Sequence, residues 1–117
     1  FEFHQGDIVG AGLKYSDAEF DYSMANGVFE ILEDKPCESF IKEMCRTTKS
    51  GVFVEDLFEQ FPGGYPRDHL HEMFAKHGFR LGMRHVILSE PFDIDRVRDP
   101  KKLWPVIKVQ NLWLEKK

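Results

Sequence analysis

The sequence predicts an α+β domain with a winged helix-turn-helix-like helical core, short β-strands and N- and C-terminal extensions. Three observations predict this class: three helical patterns fall between residues 37 and 77, a glycine-containing turn separates two of them, and two β-like segments follow. The expected units are an N-terminal arm over 1–36, a winged-helix-like core over 37–94, and a C-terminal extension over 95–117. We expect that extension to pack on the core or on a partner.

The N-terminal arm is punctuated by glycines, and its apolar stretches are short. A helical turn over Asp17–Phe20 is expected, with Ser16 as its cap. The apolar run from Val28 to Leu32 fits either a strand or a short helix. The arm is therefore predicted to be irregular, with one short helix.

The clearest element follows Pro36. Apolar side chains there recur at the spacing of one helix face, and charged residues occupy the other face. This stripe consists of Phe40, Ile41, Met44 and Cys45. The pattern predicts the first core helix.

Two further helices are predicted after the break at residues 47–51. Val52–Val54 fits a very short strand, and a second helical stripe begins within it. That stripe consists of Val54, Leu57, Phe58 and Phe61. A third helix begins at Pro66 and ends at Gly78, because proline suits the first helical position and glycine the C-cap. Its shared face consists of Leu70, Met73, Phe74 and His77.

The remaining segments are β-like. The stretch from Phe79 fits a strand at first, whereas Met83–Leu88 fits a strand or a helix, and both alternatives stay open. Glu90–Ile94 is expected to be a short extended return. The β-rich stretch from Leu103 contains Pro105, so a strand there lies at an edge or begins after the proline.

Composition excludes several classes of protein. The chain has 117 residues, 42% of them hydrophobic and 31% charged, which argues against disorder, collagen and a disulfide scaffold. No run is long and apolar enough to span a bilayer, and no signal-peptide order is present, so a soluble protein without a membrane partner is expected. The net charge of −4 divides into −8 over residues 1–60 and +4 over 61–117. The basic second half leaves room for RNA or an acidic partner.

The two cysteines are not expected to bridge each other. Cys37 and Cys45 lie eight residues apart in the predicted first helix, which separates them by about 12 Å along its axis. Free thiols favour a reducing compartment, the cytoplasm or the nucleus.

No catalytic motif stands out. His69, His71, His77 and His85 are close in sequence, but they lack the spacing that gives zinc two ligands from one helical turn. Gly10–Gly12 lacks the rest of a phosphate-binding loop, and no serine or cysteine stands in a nucleophile motif. The residues therefore predict no metal, no cofactor and no enzyme active site.

The middle of the chain resembles the LOTUS domain, the winged helix-turn-helix of Oskar and some Tudor-domain germline proteins. The resemblance covers residues 38–94 and is carried by Ser39–Met44, Ser50–Leu57, His77–Phe79, Val86–Leu88 and Phe92–Ile94. It implies a non-enzymatic scaffold of germ granules and small-RNA pathways. It also implies binding of a DEAD-box RNA helicase or of RNA, self-association as a homodimer, and location in ribonucleoprotein granules.

Two sets of candidate binding residues follow. In the interaction module, an aromatic-rich tail would anchor a protein partner through Trp104, Leu112, Trp113 and Leu114. The alternative for this tail is that it completes the core. The alternative function is direct RNA or DNA binding by the basic second half, with phosphate contacts from Arg67, Lys76, Arg80 and Arg84.

Overall fold

The protein is described here by a computed structural model that covers residues 2–7, 12–59, 64–65, 67–89 and 107–117. Its four strands form one mixed sheet. They are β1 (Phe20–Asn26), β2 (Thr48–Glu59), β3 (Phe79–Ser89) and β4 (Ile107–Lys116). A 3₁₀ turn (Phe29–Ile31) follows β1, and two helices, α1 (Asp34–Thr47) and α2 (Leu70–Ala75), precede β2 and β3.

The sheet has the strand order β1-β2-β4-β3. β1 and β2 are parallel, and β4 is antiparallel to both of its neighbours, so β3 runs in the same direction as β1 and β2. The carboxyl-terminal ends of the three parallel strands therefore lie at the same end of the sheet, which we call the carboxyl end. The end at which these strands begin is called the amino end.

One hydrophobic core lies between the helices and one face of the sheet. Val52 and Val54 of β2 point into it, as do Leu112 and Leu114 of β4, because alternate residues of a strand share a face. Phe29 of the 3₁₀ turn and Phe79 of β3 are also fully buried in it. The two α-helices contribute Phe40, Ile41, Met44, Leu70, Met73 and Phe74.

The other face of the sheet carries exposed apolar side chains, among them Tyr22, Met24 and Met83. Trp113 is half-buried on this face because two glycines of the neighbouring strands make room for its ring. A Cβ at Gly51 or Gly82 would come within 3 Å of the indole.

Several predicted elements are confirmed. The stripe after Pro36 forms α1, which buries all four of its predicted residues. Leu70, Met73 and Phe74 are buried in α2, although this helix has only six residues. Gly78 follows it with a positive φ of 82°, as a C-cap glycine does. The short-helix alternative for Val28–Leu32 is confirmed by the 3₁₀ turn.

The structure decides between the alternatives that the sequence leaves open for the strands. β3 is a strand throughout its 11 residues, so the helical alternative over Met83–Leu88 is wrong. β4 begins after Pro105 and lies inside the sheet rather than at an edge. The predicted helical turn with Ser16 as its cap is wrong, because the chain only turns at Asp17–Ala18 before β1 begins. The predicted return over 90–94 lies outside the described residues.

The predicted winged-helix-like core is wrong. Its second helix requires a helical start from Val54, but residues 48–59 form a 12-residue strand that pairs with β1 on one side and β4 on the other. Pairing with distant segments overrides a local helical spacing, because a strand's stability comes mostly from its neighbours in the sheet. The architecture is a mixed sheet with two helices instead. The division at residues 36 and 94 stays a prediction, although strands from all three predicted units join one sheet.

Candidate functional site

The carboxyl end of the sheet has the features of a binding site. β1 ends at Asn26, which pairs with Glu55 of β2, and the chain then turns at Gly27 with a positive φ of 65°. The Gly27 amide donates to the Glu55 carbonyl oxygen at 3.0 Å, which holds the turn against β2. Ligands of open α/β sheets commonly bind outside the carboxyl ends of the strands.

A cavity of about 220 Å³ lies at this point. Its exposed rim is formed by Asn26 and Gly27, whereas Glu30 and Asp56 are buried at its inner side. Glu55 and Val109 are half-buried and complete the lining. The acids at its inner side are Glu30 and Asp56, because Glu55 is the strand neighbour of Asp56 and its side chain points to the other face of the sheet.

Glu30 and Asp56 form a buried carboxyl pair. Glu30 is 5% exposed and Asp56 is 1% exposed. The backbone amide of Glu30 donates to Oδ1 of Asp56 at 3.1 Å. The other oxygens, Oε2 of Glu30 and Oδ2 of Asp56, are buried and have no hydrogen-bond partner in the structure. In a native protein, buried oxygens of this kind usually interact with a bound proton, a water molecule or a ligand.

The pair holds a proton more tightly than an exposed carboxyl group does. Burial is the largest cause that raises the pKa of Asp56 from 3.8 to about 8, and the Glu30 carboxyl raises it too, through a proton that the two side chains share and through its charge. A buried acid of this kind, placed in a cavity, can store a proton and release it near neutral pH.

Arg67 lies beside the pair but does not neutralise it through hydrogen bonds. It is 3% exposed, and its guanidinium donates to the carbonyl oxygens of Phe29, Leu32 and Tyr65. Its remaining donors go to Oδ1 of Asp34 at 3.0 and 3.3 Å. Every N–H group of the guanidinium is used in these bonds.

A second recess, of about 360 Å³, lies at the amino end and is lined in part by Lys42, Arg46 and Lys116. It is the larger of the two but the weaker candidate. Arg46 is already satisfied by Glu43, Asp17 and two backbone carbonyl oxygens. Burial raises the pKa of the Cys45 thiol at this recess to about 12, which makes it unreactive at neutral pH.

The predicted nucleic-acid-binding residues do not form one surface group. Arg67 is buried, and its donors are used internally. Lys76 and Arg80 are exposed, and they lie 3.6 Å from Glu38 and 3.5 Å from Glu115. The Nε of Arg84 donates to Gln110 at 3.3 Å. Phosphate binding by these residues stays a prediction.

The predicted partner-binding residues are divided between three environments. Leu112 and Leu114 are fully buried, which confirms for them the alternative that the tail completes the core. Trp113 is half-buried on the open face of the sheet, with its ring 6.0 Å from that of Tyr22. Trp104 lies outside the described residues. Binding of a protein partner there stays a prediction.

The described residues contain neither a metal-ligand cluster nor a membrane-spanning helix. No three metal-ligating side chains come together there, and no helix has the length and apolarity that crossing a membrane requires. Cys37 and Cys45 are free and buried, as their spacing predicts.

The carboxyl pair escaped the sequence analysis. Its members are 26 residues apart, and neither stands at a position that the sequence marks. Glu30 lies in the 3₁₀ turn and Asp56 lies within β2, so no local signal identifies them as a pair.

No protein-family model matches the sequence, and no curated protein matches it. Solved structures do match its fold. The [4+2]-cyclase SpnF superposes with a TM-score of 0.70 over 98% of this chain and 55% of its own, at 19% identity. The magnesium protoporphyrin IX methyltransferase of Synechocystis PCC 6803, with S-adenosylhomocysteine bound, gives 0.66 over 96% of this chain and 49% of its own, at 9% identity.

A third match is a SAM-dependent methyltransferase of Methanosarcina mazei, with a TM-score of 0.61 over 90% of this chain and 63% of its own, at 12% identity. The chain thus spans about half to two thirds of the length of these proteins. It shares the fold of that part of them. A cyclase is among the three, so the fold is not restricted to methyl transfer.

These matches correct the function that the sequence predicts. The resemblance to the LOTUS domain is wrong, since the matching structures have a methyltransferase-type sheet and not a winged helix. The non-enzymatic scaffold for germ granules or small RNA is overturned by the same finding. The expected partners, a DEAD-box RNA helicase or RNA, stay predictions. The structures that share the fold are enzymes.

Proposed function

We propose that this chain forms the acceptor-binding part of an enzyme of the SAM-dependent methyltransferase type that acts on a small molecule. The observation that carries the proposal is the acidic cavity at the carboxyl end of a sheet with this fold. The enzymes with the same sheet supply the reaction class. The cavity supplies a place for a substrate that donates hydrogen bonds.

The described residues do not fit the whole of S-adenosylmethionine. That cofactor carries an adenine ring, a ribose and a charged chain, and a ring of this kind packs against apolar side chains. Among the described residues, the cavity offers only Val109 for such packing, and its 220 Å³ is below the range of about 300–1,000 Å³ that holds a drug-sized ligand. We therefore assign the cavity to the acceptor and derive no step through the cofactor.

The carboxyl pair can perform two tasks toward an acceptor. Its partnerless oxygens accept hydrogen bonds from an acceptor hydroxyl or amine, which fixes the acceptor's orientation. An ionised carboxylate there also takes up the proton that the acceptor loses when it is alkylated, and the raised pKa of Asp56 suits this role near neutral pH.

The compartment belongs to the same proposal. Cys37 and Cys45 are free thiols, and protein thiols stay reduced in the cytoplasm and the nucleus. We place the enzyme in a reducing compartment of this kind.

Methyl transfer to small molecules tests the proposal. The protein is expressed with whatever sequence its gene encodes on either side of these residues. It is then incubated with S-adenosylmethionine labelled in the methyl group and with the low-molecular-mass fraction of its native cells. We expect label in that fraction. We expect Asp56→Asn to lower the rate roughly 10²-fold or more, as loss of a general base does.

Glu19→Gln is the matched control, because Glu19 is an exposed acid next to the opposite end of β1. This variant should keep the wild-type rate. Circular dichroism of both variants separates a lost base from a lost fold. Absence of label transfer by the wild-type protein, in the presence of measurable folded protein, would overturn the proposal.

A further inference from the structure

We propose that the carboxyl cavity binds the ammonium group of a small amine, with Glu30 and Asp56 as its receptors. This inference rests on the proposed function, because it names the substrate class of the same site. It predicts that the acceptor is an amine rather than an alcohol or a thiol, and that an ionised carboxylate of the pair takes a proton from the bound ammonium group, which frees the nitrogen lone pair before alkylation.

The first step concerns the free acceptor oxygens. Oε2 of Glu30 and Oδ2 of Asp56 are both buried and both without a partner, on residues that are 95% and 99% buried. A buried oxygen that accepts no hydrogen bond costs free energy. An ammonium group carries three N–H donors and no acceptor, so it can satisfy both oxygens and leave one donor over.

The second step concerns charge. The nearest buried cation, Arg67, directs all of its donors to Asp34 and to backbone carbonyl oxygens. It therefore leaves Glu30 and Asp56 without a hydrogen-bonded counterion. A buried carboxyl pair without one must keep a proton or take a cation from outside.

The third step concerns size and access. The cavity of about 220 Å³ is reached past Asn26 and Gly27, which are exposed. Glu55 precedes Asp56 on β2, so its side chain lies on the opposite face of the sheet and does not join the inner pair. A small amine or the amino end of a larger molecule fits these dimensions, and the two inner carboxyl groups favour a positive charge over a neutral hydroxyl.

The fourth step links binding to a proton. The groups that act on the Asp56 carboxyl are Glu30 from the 3₁₀ turn and Arg67 from the segment before α2, and Asp56 in turn raises the pKa of the Cys37 thiol of α1. Burial and Glu30 keep Asp56 protonated near neutral pH, whereas Arg67 opposes them. An ammonium group that enters must displace this proton, so its affinity must rise with pH up to the pKa of the pair.

The test is an NMR titration of ¹⁵N-labelled protein with ethanolamine, and with ethylene glycol as a ligand of the same size that lacks the amine. We expect ethanolamine, and not ethylene glycol, to shift the amide signals of Gly27, Glu30 and Asp56. The dissociation constant should be roughly millimolar, as for other ligands of four heavy atoms. It should weaken about tenfold for each pH unit below the pKa of the pair.

Two variants distinguish binding at this site from nonspecific binding to exposed acids. Asp56→Asn should weaken binding at least roughly tenfold at about pH 9 and abolish the pH dependence. Glu19→Gln, which removes one exposed acid elsewhere, should change neither. Because protonated aspartic acid and asparagine are nearly isosteric, the first variant should keep its fold, and the dispersion of its NMR spectrum verifies this.

Three results would overturn the inference: equal shifts with ethylene glycol, ethanolamine shifts spread over exposed acids, or the same shifts produced more tightly by Mg²⁺ alone. The methyl-transfer assay is independent of this titration. Label found on a hydroxyl or thiol, without ethanolamine binding, would remove the amine and leave the proposed function standing. Ethanolamine binding without label transfer by the complete protein would support the amine site and contradict the proposed function.

Discussion

Two buried or half-buried arginines lie at opposite ends of the same sheet, and their neighbouring carboxylates behave in opposite ways. At the amino end, Arg46 binds Glu43 at 2.9 Å and Asp17 at 2.7 Å. The bond from Arg46 lowers the pKa of Glu43, and the hydrogen bond from the Leu13 amide lowers it further. At the carboxyl end, Arg67 gives most of its donors to backbone carbonyl oxygens, and the pKa of Asp56 is raised.

The difference shows that an arginine near a carboxylate does not by itself neutralise it. What decides is where the N–H groups point. Arg46 points at carboxylates and forms a closed ionic cluster at the sheet's amino end. Arg67 instead holds the 3₁₀ turn and the segment before α2 together through Phe29, Leu32 and Tyr65. It thereby holds the turn that carries Glu30 and leaves the Glu30 and Asp56 carboxyl groups without a hydrogen-bonded cation.

The largest expected effect comes from removing the two arginines in turn. Arg67→Met should cost about 3–5 kcal/mol of unfolding free energy, because it leaves buried carbonyl oxygens without donors and removes a buried cation near two acids. Arg46→Met should cost much less, since its partners can hydrogen-bond to water instead. Urea denaturation of both variants measures the contrast. Equal losses would mean that burial does not distinguish the two clusters.

The next effect is a pH dependence of opposite sign at the two ends. A carboxyl group with a raised pKa loses stabilisation as pH rises from its unfolded value of 3.8 toward about 8. Asp56→Asn should therefore match the wild type at about pH 4 and exceed its stability by about 2 kcal/mol at about pH 8.

Glu43→Gln provides the opposite case. A lowered pKa contributes stability above the ordinary value of 4.5, and this contribution is lost as pH falls through the folded-state pKa. The variant should be about 0.5–1 kcal/mol less stable than the wild type at neutral pH and equal to it in strong acid. Thermal midpoints measured across the pH range follow both curves. Parallel curves for the two variants would contradict the comparison.

The sequence predicts the parts of this molecule that are encoded locally. The stripe of Phe40, Ile41, Met44 and Cys45 needs only the helical period, and α1 follows from it. The run from Val52 is different, because its spacing fits a helix or a strand and only its pairing with β1 and β4 decides.

The candidate site depends on the same pairing. Glu30 meets Asp56 because β1 lies beside β2, and no local pattern brings together residues 26 positions apart. An isolated acid among the 20 of this chain carries no sign of burial, so the site could not be recognised before the sheet was known.

The smallest expected effect is a difference in stability between two glycine substitutions, one at the turn beside the cavity and one at a similar turn at the amino end. Gly27 and Gly78 both have positive φ, of 65° and 82°, where an alanine is strained by about 1 kcal/mol. A Cβ at Gly78 would meet nothing within 4 Å, whereas one at Gly27 would lie 3.3 Å from Oε1 of Glu30. Gly27→Ala should thus cost a few tenths of a kcal/mol more than Gly78→Ala in urea denaturation. Because the added methyl group presses on the buried pair, Gly27→Ala should also weaken ethanolamine binding, and Gly78→Ala should not. If both alanines cost the same and both leave binding intact, the turn at Gly27 does not shape the cavity.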